Sequence, residues 1–165
     1  MRQLMDNPND YNGVSIRQAN NEDRAEIDRL MRCGFDLNYR EGWSSDALSS
    51  LMQWPKCLVF LALNTNQNIV GFIAVRYGLE EAELLLIVID PESRRQGIGC
   101  SLLEAMVERL GILKMRSIFL EVRENNHDAV RFYQKQAFVQ VGTRPRYYQA
   151  LDGTWAAALT MMRKL

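Results

Sequence analysis

The sequence has one histidine, His127, and three cysteines, Cys33, Cys57 and Cys100, with no C-x-x-C pair among them. Without paired thiols or a second imidazole at ligand spacing, no zinc or iron–sulfur framework is written into the chain, and no metal is expected. The cysteines are odd in number and far apart, the usage of reduced thiols in a cytoplasmic protein rather than of a disulfide scaffold. Neither sign of charge is in excess: 20 basic and 20 acidic side chains give a net charge of zero. The basic surplus of a nucleic-acid or membrane-surface binder is missing, so direct contact with either is not expected. Small-molecule and peptide substrates stay open. No apolar run approaches the ~20 residues of a membrane span; the longest, residues 84–89, is strand-sized. Internal repeats, low-complexity tracts and domain linkers are also absent.

What is present suits one domain. The 165 residues, 47% of them hydrophobic, suffice for a real core. Residues 1–13 are polar, include Asp6, Asn7, Pro8, Asn9 and Asp10, and lack the apolar segment of a signal peptide. They read as a flexible arm, with the domain occupying residues 14–165.

The apolar pattern predicts a strand over residues 14–19, then a helix capped by Asn20 or Asn21 with Ile27, Leu30 and Met31 on its buried face. A second helix is expected from Ser44 or Ser45, carrying Leu48, Leu51 and Met52 and ending at Trp54-Pro55. Residues 58–63 and 69–77 form a hairpin across a turn of Asn, Thr and Gln. Residues 83–90 make the strongest strand; they do not alternate in polarity, so both faces should be covered. A long helix follows from Ile98, with Leu102, Leu103, Met106 and Leu110 inward and Gly111 placed to cap it. Residues 117–122 are a further strand, and Asn126 caps a helix reaching about Gln136. Residues 138–141 and 155–162 pair as a last hairpin across a long loop. The order β-α-α-β-β-β-α-β-α-β-β describes an α/β (α+β) domain. Its sheet is mixed and mostly antiparallel, with helices on both sides and one right-handed β-helix-β crossover.

Between the strongest strand and the long helix lie Arg94, Arg95, Gln96, Gly97, Ile98, Gly99 and Cys100. A helix start presents unpaired N–H groups and the positive end of the helix dipole. Two glycines let that backbone approach an anion closely, and two arginines add charge-assisted donors. Together these parts suit a diphosphate. A P-loop is excluded because no Lys-Ser or Lys-Thr follows either glycine. A dinucleotide fingerprint is disfavoured because Leu102 stands where a third small residue belongs, and because hairpins precede the unit. The plain alternative is a tight strand-to-helix turn with surface arginines.

The run I-V-I-D-P-E-S-R-R-Q-G-I-G-C-S-L-L resembles the acetyl-CoA motif of the GNAT acetyltransferase superfamily, Q/R-x-x-G-x-G/A. The run L-E-V-R-E-N-N-H-D-A-V-R-F-Y-Q-K-Q-A-F is similar to the RimI-type branch, as are R-Y-Y at Arg146, Tyr147 and Tyr148 and W-S at Trp43 and Ser44. That branch acetylates the N-terminal alanine of a small-subunit ribosomal protein. The resemblance implies the GNAT acyl-CoA N-acyltransferase fold, acetyl-CoA as co-substrate, and the backbone of Ile87, Val88 and Ile89 beside the pantetheine arm, with an N–H of Val88 or Ile89 on the thioester carbonyl. It also implies Asn126 as a cofactor contact, although an asparagine there equally suits a helix cap. Glu121 would be the general base and Tyr133 the general acid.

The residues themselves partly support those roles. Glu121 interrupts an apolar strand, so its carboxylate faces a cleft or is paired with Arg123 or another cation. Tyr133, as a phenol, stays protonated at neutral pH and suits a proton donor; it equally suits an aromatic core anchor. Trp43, Tyr147 and Tyr148, joined by Phe35 and Tyr39, are candidate walls of a peptide groove, or simple packing residues. Two positions depart from the branch: Leu86 replaces an asparagine, which puts some peptide-side hydrogen bonding in question, and Ala137 replaces a glycine. The leading expectation is acetylation of a protein N-terminal α-amine, with a ribosomal protein's N-terminal alanine first among acceptors, by direct attack, by a monomer or homodimer. The rivals are acetylation of a small amine (a polyamine, amino acid or antibiotic) and a non-catalytic acyl-CoA-binding sensor.

Overall fold

The computed structural model describes residues 9–11, 13–34, 38–39 and 52–165. In chain order the elements are β1 (Asn9–Tyr11), β2 (Val14–Gln18), α1 (Arg24–Gly34), β3 (Cys57–Leu63), β4 (Ile69–Gly78), β5 (Glu81–Ile89), α2 (Ile98–Ile112), β6 (Ser117–Arg123), α3 (His127–Lys135), β7 (Val139–Gln149) and β8 (Trp155–Lys164). Among the described residues these strands form one eight-stranded sheet, ordered β1-β2-β3-β4-β5-β6-β8-β7. β5 and β6 run parallel, joined by the α2 crossover, and the other neighbours are antiparallel.

Both faces of the sheet are covered. On one, Ile27, Leu30 and Met31 of α1 pack on Leu61, Phe72, Leu86 and Val88. On the other, Leu102, Leu103 and Met106 of α2 and Tyr133 of α3 pack on Phe60, Ile73, Leu84 and Leu120. A register shift between Ala74 and Val75, opposite Leu86 and Leu84, bulges β5 at Leu85. The bulge turns Leu84 toward one layer and Leu86 toward the other, which is why the strand reads as apolar without alternation.

Local chemistry sets the helix ends. Asn20 caps the 3-10 turn that leads into α1, and Asp23 closes a capping box by accepting from the Asn20 N–H at 2.8 Å. Arg17 grips the same carboxylate through two bonds of 2.6 and 2.7 Å. α3 ends in a paired bond set, Phe138 N–H to Tyr133 C=O and Ala137 N–H to Gln134 C=O, with Ala137 left-handed at φ 63°.

Four expectations need correction. Asn9–Tyr11, placed in the flexible arm, pairs with β2 through Asn9↔Ile16 and Tyr11↔Val14; backbone pairing satisfies N–H and C=O groups on the free edge of β2 regardless of side-chain polarity. Gly111 does not end α2. The helix runs on to Ile112, and Lys114 takes the left-handed position at φ 60°, with Met115 N–H reaching Leu110 C=O. The sixth strand, β6, is preceded by five rather than four. The last hairpin has no long loop, because β7 continues through Pro145 to Gln149. Register shifts near Gln140/Gly142 and Arg144/Tyr148 absorb residues the alternation could not accommodate. The helix expected from Ser44 lies outside the described residues except for its last part, where Met52 and Gln53 are helical.

Candidate active site

The pairing of β5 with β6 begins at Glu81↔Ser117 and stops at Leu84↔Leu120. β5 nevertheless stays paired with β4 as far as Ile89↔Gly71, and β6 with β8 as far as Arg123↔Ala158. The sheet therefore splits beyond Leu84 and Leu120, and a cleft opens between two strand edges. Asp90 N–H donates to Val70 C=O at 2.9 Å. Backbone groups alternate in direction along a strand, so those of Val88 also turn to β4, while those of Ile87 and Ile89 turn to the cleft. Of the expected backbone contacts, Val88 is corrected: its polar groups serve the β4 ladder and its side chain is buried under α1.

That burial depends on one glycine. A Cβ on Gly34, the last residue of α1, would lie 2.2 Å from Val88 Cγ1. Any side chain there pushes α1 off the strand that borders the cleft.

The glycine loop lies at the outer end of β5. Asp90 closes the strand, accepting from Glu92 N–H at 3.1 Å and pairing with Arg29 at 2.7 Å. The Arg29 guanidinium, with the Glu92 N–H, holds the Asp90 carboxyl below its ordinary value. Arg95 and Gly97 are both left-handed, at φ 64° and 81°. A Cβ added at Gly97 would meet nothing within 4 Å; the glycine is there for its backbone angle. Left-handed residues interleaved in such a turn curl successive N–H groups into an anion-sized hollow. No side chain caps α2, so the loop and the first turn of α2 keep donors available for a ligand. Ile98 is buried, anchoring that first turn to the core.

The two arginines divide. Arg95 is 87% exposed and lies 3.6 Å from Asp128 on α3. Arg94, expected beside the diphosphate, is exposed and reaches back along β5: its guanidinium donates to Ile89 C=O at 3.4 Å and Gly34 C=O at 3.0 Å. It braces β5 against the negative end of α1. Gln96 is exposed on the loop. Phe132 of α3 and Gln136, just past its end, press on α2 from the other side. A Cβ at Gly99 would be 3.4 Å from the Phe132 ring, and Gln136 donates to Cys100 Sγ at 3.3 Å. Asn126 does cap α3, accepting from Ala129 N–H at 3.3 Å, which leaves its amide NH2 for another partner.

Glu121 stands immediately past the last β5–β6 pair, at the apex of the split. Its carboxylate is 23% exposed and 3.0 Å from Arg144 Nε. The partner is thus Arg144 rather than Arg123, a cation two residues ahead of the R-Y-Y run that the sequence reading did not single out. Tyr133 is buried between Phe132 and Phe138, ring centroids at 5.2 and 5.6 Å. Burial, and secondarily Tyr148, raise its pKa above the ordinary phenol value. Among the described residues its hydroxyl has no hydrogen-bond partner. Tyr147 and Tyr148 meet edge to face at 5.0 Å and line a groove of about 460 Å³ with Tyr39, Gln149 and Leu151. Trp43 and Phe35 lie outside the described residues. Leu86 is buried under α1.

A split sheet beside a glycine-loop helix start is the architecture of acyl-CoA N-acyltransferases. The model of the acetyltransferase (GNAT) family matches residues 21–138, and the chain belongs to that family as an N-acetyltransferase. It is 33% identical over 111 residues to the [ribosomal protein bS18]-alanine N-acetyltransferase of Escherichia coli strain K12, covering 67% of this chain and 74% of that protein. The crystal structure of the ribosomal-protein-S18-alanine N-acetyltransferase from Escherichia coli superposes with a TM-score of 0.82 at 26% identity, over 92% of this chain and 93% of that one. Ard1 from Thermoplasma volcanium gives a TM-score of 0.79 at 29% identity, over 93% and 98%.

Proposed function

We propose that this enzyme transfers acetyl from acetyl-CoA directly to the α-amine of a protein N-terminus, with a ribosomal protein's N-terminal alanine as the leading acceptor. The observation that carries the reading is the cleft, which has the glycine loop at one end and Glu121 at the other. In this reading the N–H groups of Arg95, Gly97, Ile98, Gly99 and Cys100 hold the diphosphate, and Asn126 contributes its amide. The cleft-facing groups of Ile87 and Ile89 pair with the pantetheine arm as a strand would. An N–H on this edge polarises the thioester carbonyl.

Direct attack needs a free amine, and an α-ammonium has a pKa of about 8. Glu121 takes the ammonium proton, directly or through a water, and the amine nitrogen bonds to the acetyl carbon. As the nitrogen gives up its second proton to solvent the C–S bond breaks, and the thiolate leaves with the Tyr133 proton, which a solvent proton then replaces. Burial raises the Tyr133 pKa, so the phenol is protonated at neutral pH.

The acceptor class rests on two supports. The relative at 33% identity is named for bS18-alanine. The groove is lined by Tyr39, Tyr147 and Tyr148, aromatic surface that suits a peptide, and Arg144 links it to Glu121, lying 3.0 Å from that carboxylate and 5.7 Å from the Tyr147 ring centre. The test is thiol release from acetyl-CoA with peptides differing in the first residue, beside free polyamines and amino acids. Turnover on an Ala-starting peptide is expected. Turnover on free amines alone overturns the acceptor class, and acetyl-CoA binding without turnover on anything overturns the enzymatic reading of the groove.

A further inference from the structure

Arg123 is the last residue of β6, two beyond Glu121 and on the same face of the strand. It is only 5% exposed. A buried guanidinium is costly unless its charge and donors are matched. Here its plane lies over the Tyr39 ring at 3.5 Å, and its Nη1 donates to Asn125 Oδ1 at 2.7 Å. Asn125 Nδ2 in turn donates to the Tyr39 hydroxyl at 2.8 Å. The three side chains thus close a ring of contacts in which one face of Tyr39 and its hydroxyl are both engaged.

The backbone around Tyr39 is tied elsewhere. Tyr39 bridges Ala150 in antiparallel fashion, and Asn38 C=O accepts from Leu151 N–H at 2.9 Å. Leu151 belongs to the β7–β8 turn, next to Tyr147 and Tyr148 in the groove lining. Tyr39 therefore adds a direct link between two parts that the sheet joins only through β8: the end of β6, which carries Glu121, and the β7–β8 turn that lines the groove.

We propose that Arg123 is a positioning residue for the acceptor: stacked on Tyr39 and linked to it through Asn125, it holds the Tyr39 wall of the groove in fixed relation to Glu121. The proposal rests on the reading of that groove as the acceptor site. Lysine is a poor replacement for the arginine, because an ammonium lacks the planar face that stacks on the ring while an Nη1 donor reaches Asn125. The glycine loop and the β5 edge lie outside this ring of contacts, so the cofactor side should not feel its loss.

The test uses the full chain with Arg123→Lys, Tyr39→Phe and Tyr39→Ala; the tyrosine variants serve should the buried arginine prove intolerant. Acceptor and acetyl-CoA are each varied at saturation of the other, and hydrogen exchange is followed at the Leu151 amide. For Arg123→Lys and Tyr39→Ala the expected result is an acceptor KM raised about tenfold, with the acetyl-CoA KM within about twofold of the parent and faster exchange at Leu151. Tyr39→Phe keeps the stack and loses one hydrogen bond, so it should fall between. An unchanged acceptor KM in Arg123→Lys and Tyr39→Ala overturns the proposal, as does a fall in kcat alone with a lowered unfolding midpoint. If the parent enzyme turns over no peptide, the acceptor reading fails separately. Exchange at Leu151 then decides the brace, faster exchange upholding it and unchanged exchange overturning it.

Discussion

Arg144 Nε lies 3.0 Å from Glu121 Oε1, so the carboxylate at the apex of the cleft already holds a cation before an acceptor arrives. The arginine side chain is 62% exposed, and an ion pair that open to water contributes between about 0 and 1 kcal/mol. An acceptor ammonium can displace it at small cost. Glu121→Gln should lower kcat by about 10²–10⁴-fold, the usual range for loss of a general base, and leave the acetyl-CoA KM near the parent value. Steady-state kinetics with both substrates varied would check this. Arg144→Gln should change the unfolding free energy by less than about 1 kcal/mol and lower the acceptor KM.

Tyr133→Phe separates two roles that the structure allows together. The ring is part of the core, but its hydroxyl bonds to nothing among the described residues. Removing that oxygen should leave the thermal midpoint within a degree or so, since no hydrogen bond is lost. A kcat drop of about 10²-fold or more with an unchanged midpoint would mark the hydroxyl as the proton donor. An unchanged kcat would leave Tyr133 as a core anchor only.

Ala137 occupies a left-handed position at φ 63° that glycine adopts without strain. Ala137→Gly should therefore stabilise the protein by about 1 kcal/mol and leave kcat unchanged. Denaturant or thermal unfolding of the two proteins measures it.

Gly34→Ala should do the reverse. The new methyl would sit 2.2 Å from Val88 Cγ1, and relieving such an overlap costs about 1–3 kcal/mol. Because Val88 lies on the strand bordering the cleft, the acetyl-CoA KM should rise along with the loss of stability.

The pH dependence of folding has an identified contributor. Hydrogen bonding to Arg17 lowers the Asp23 carboxyl below its ordinary pKa. A depressed folded pKa means the pair stabilises fully above the unfolded value of about 3.9 and is lost as pH falls through the folded value. Asp23→Asn should lower stability at neutral pH and flatten the acid limb of the stability profile. An acid limb unchanged by the substitution would remove Asp23 from that role.

The glycine loop was legible in the sequence because a tight turn between a strand and a helix needs residue types that few other structures need. The same holds for Asn20 and Asn126, whose short side chains cap helices two or three residues ahead. Apolar spacing in α1 and α2 marked the buried faces for a similarly local reason. Arg94 shows where this stops: two adjacent arginines look alike in sequence, but one reaches back to Gly34, 60 residues away.

What the sequence determined by itself was therefore whatever depends on neighbours along the chain: helix caps, turns, faces, and the family signature of residues 94–100. What only the tertiary structure decided depends on residues distant in the chain. The point at which β5 and β6 part, the pairing of Glu121 with Arg144 and the stacking of Arg123 on Tyr39 are of this kind. Each is a contact between segments whose separation is set by the register of the whole sheet, and a bulge of one residue at Leu85 is enough to change which groups face the cleft.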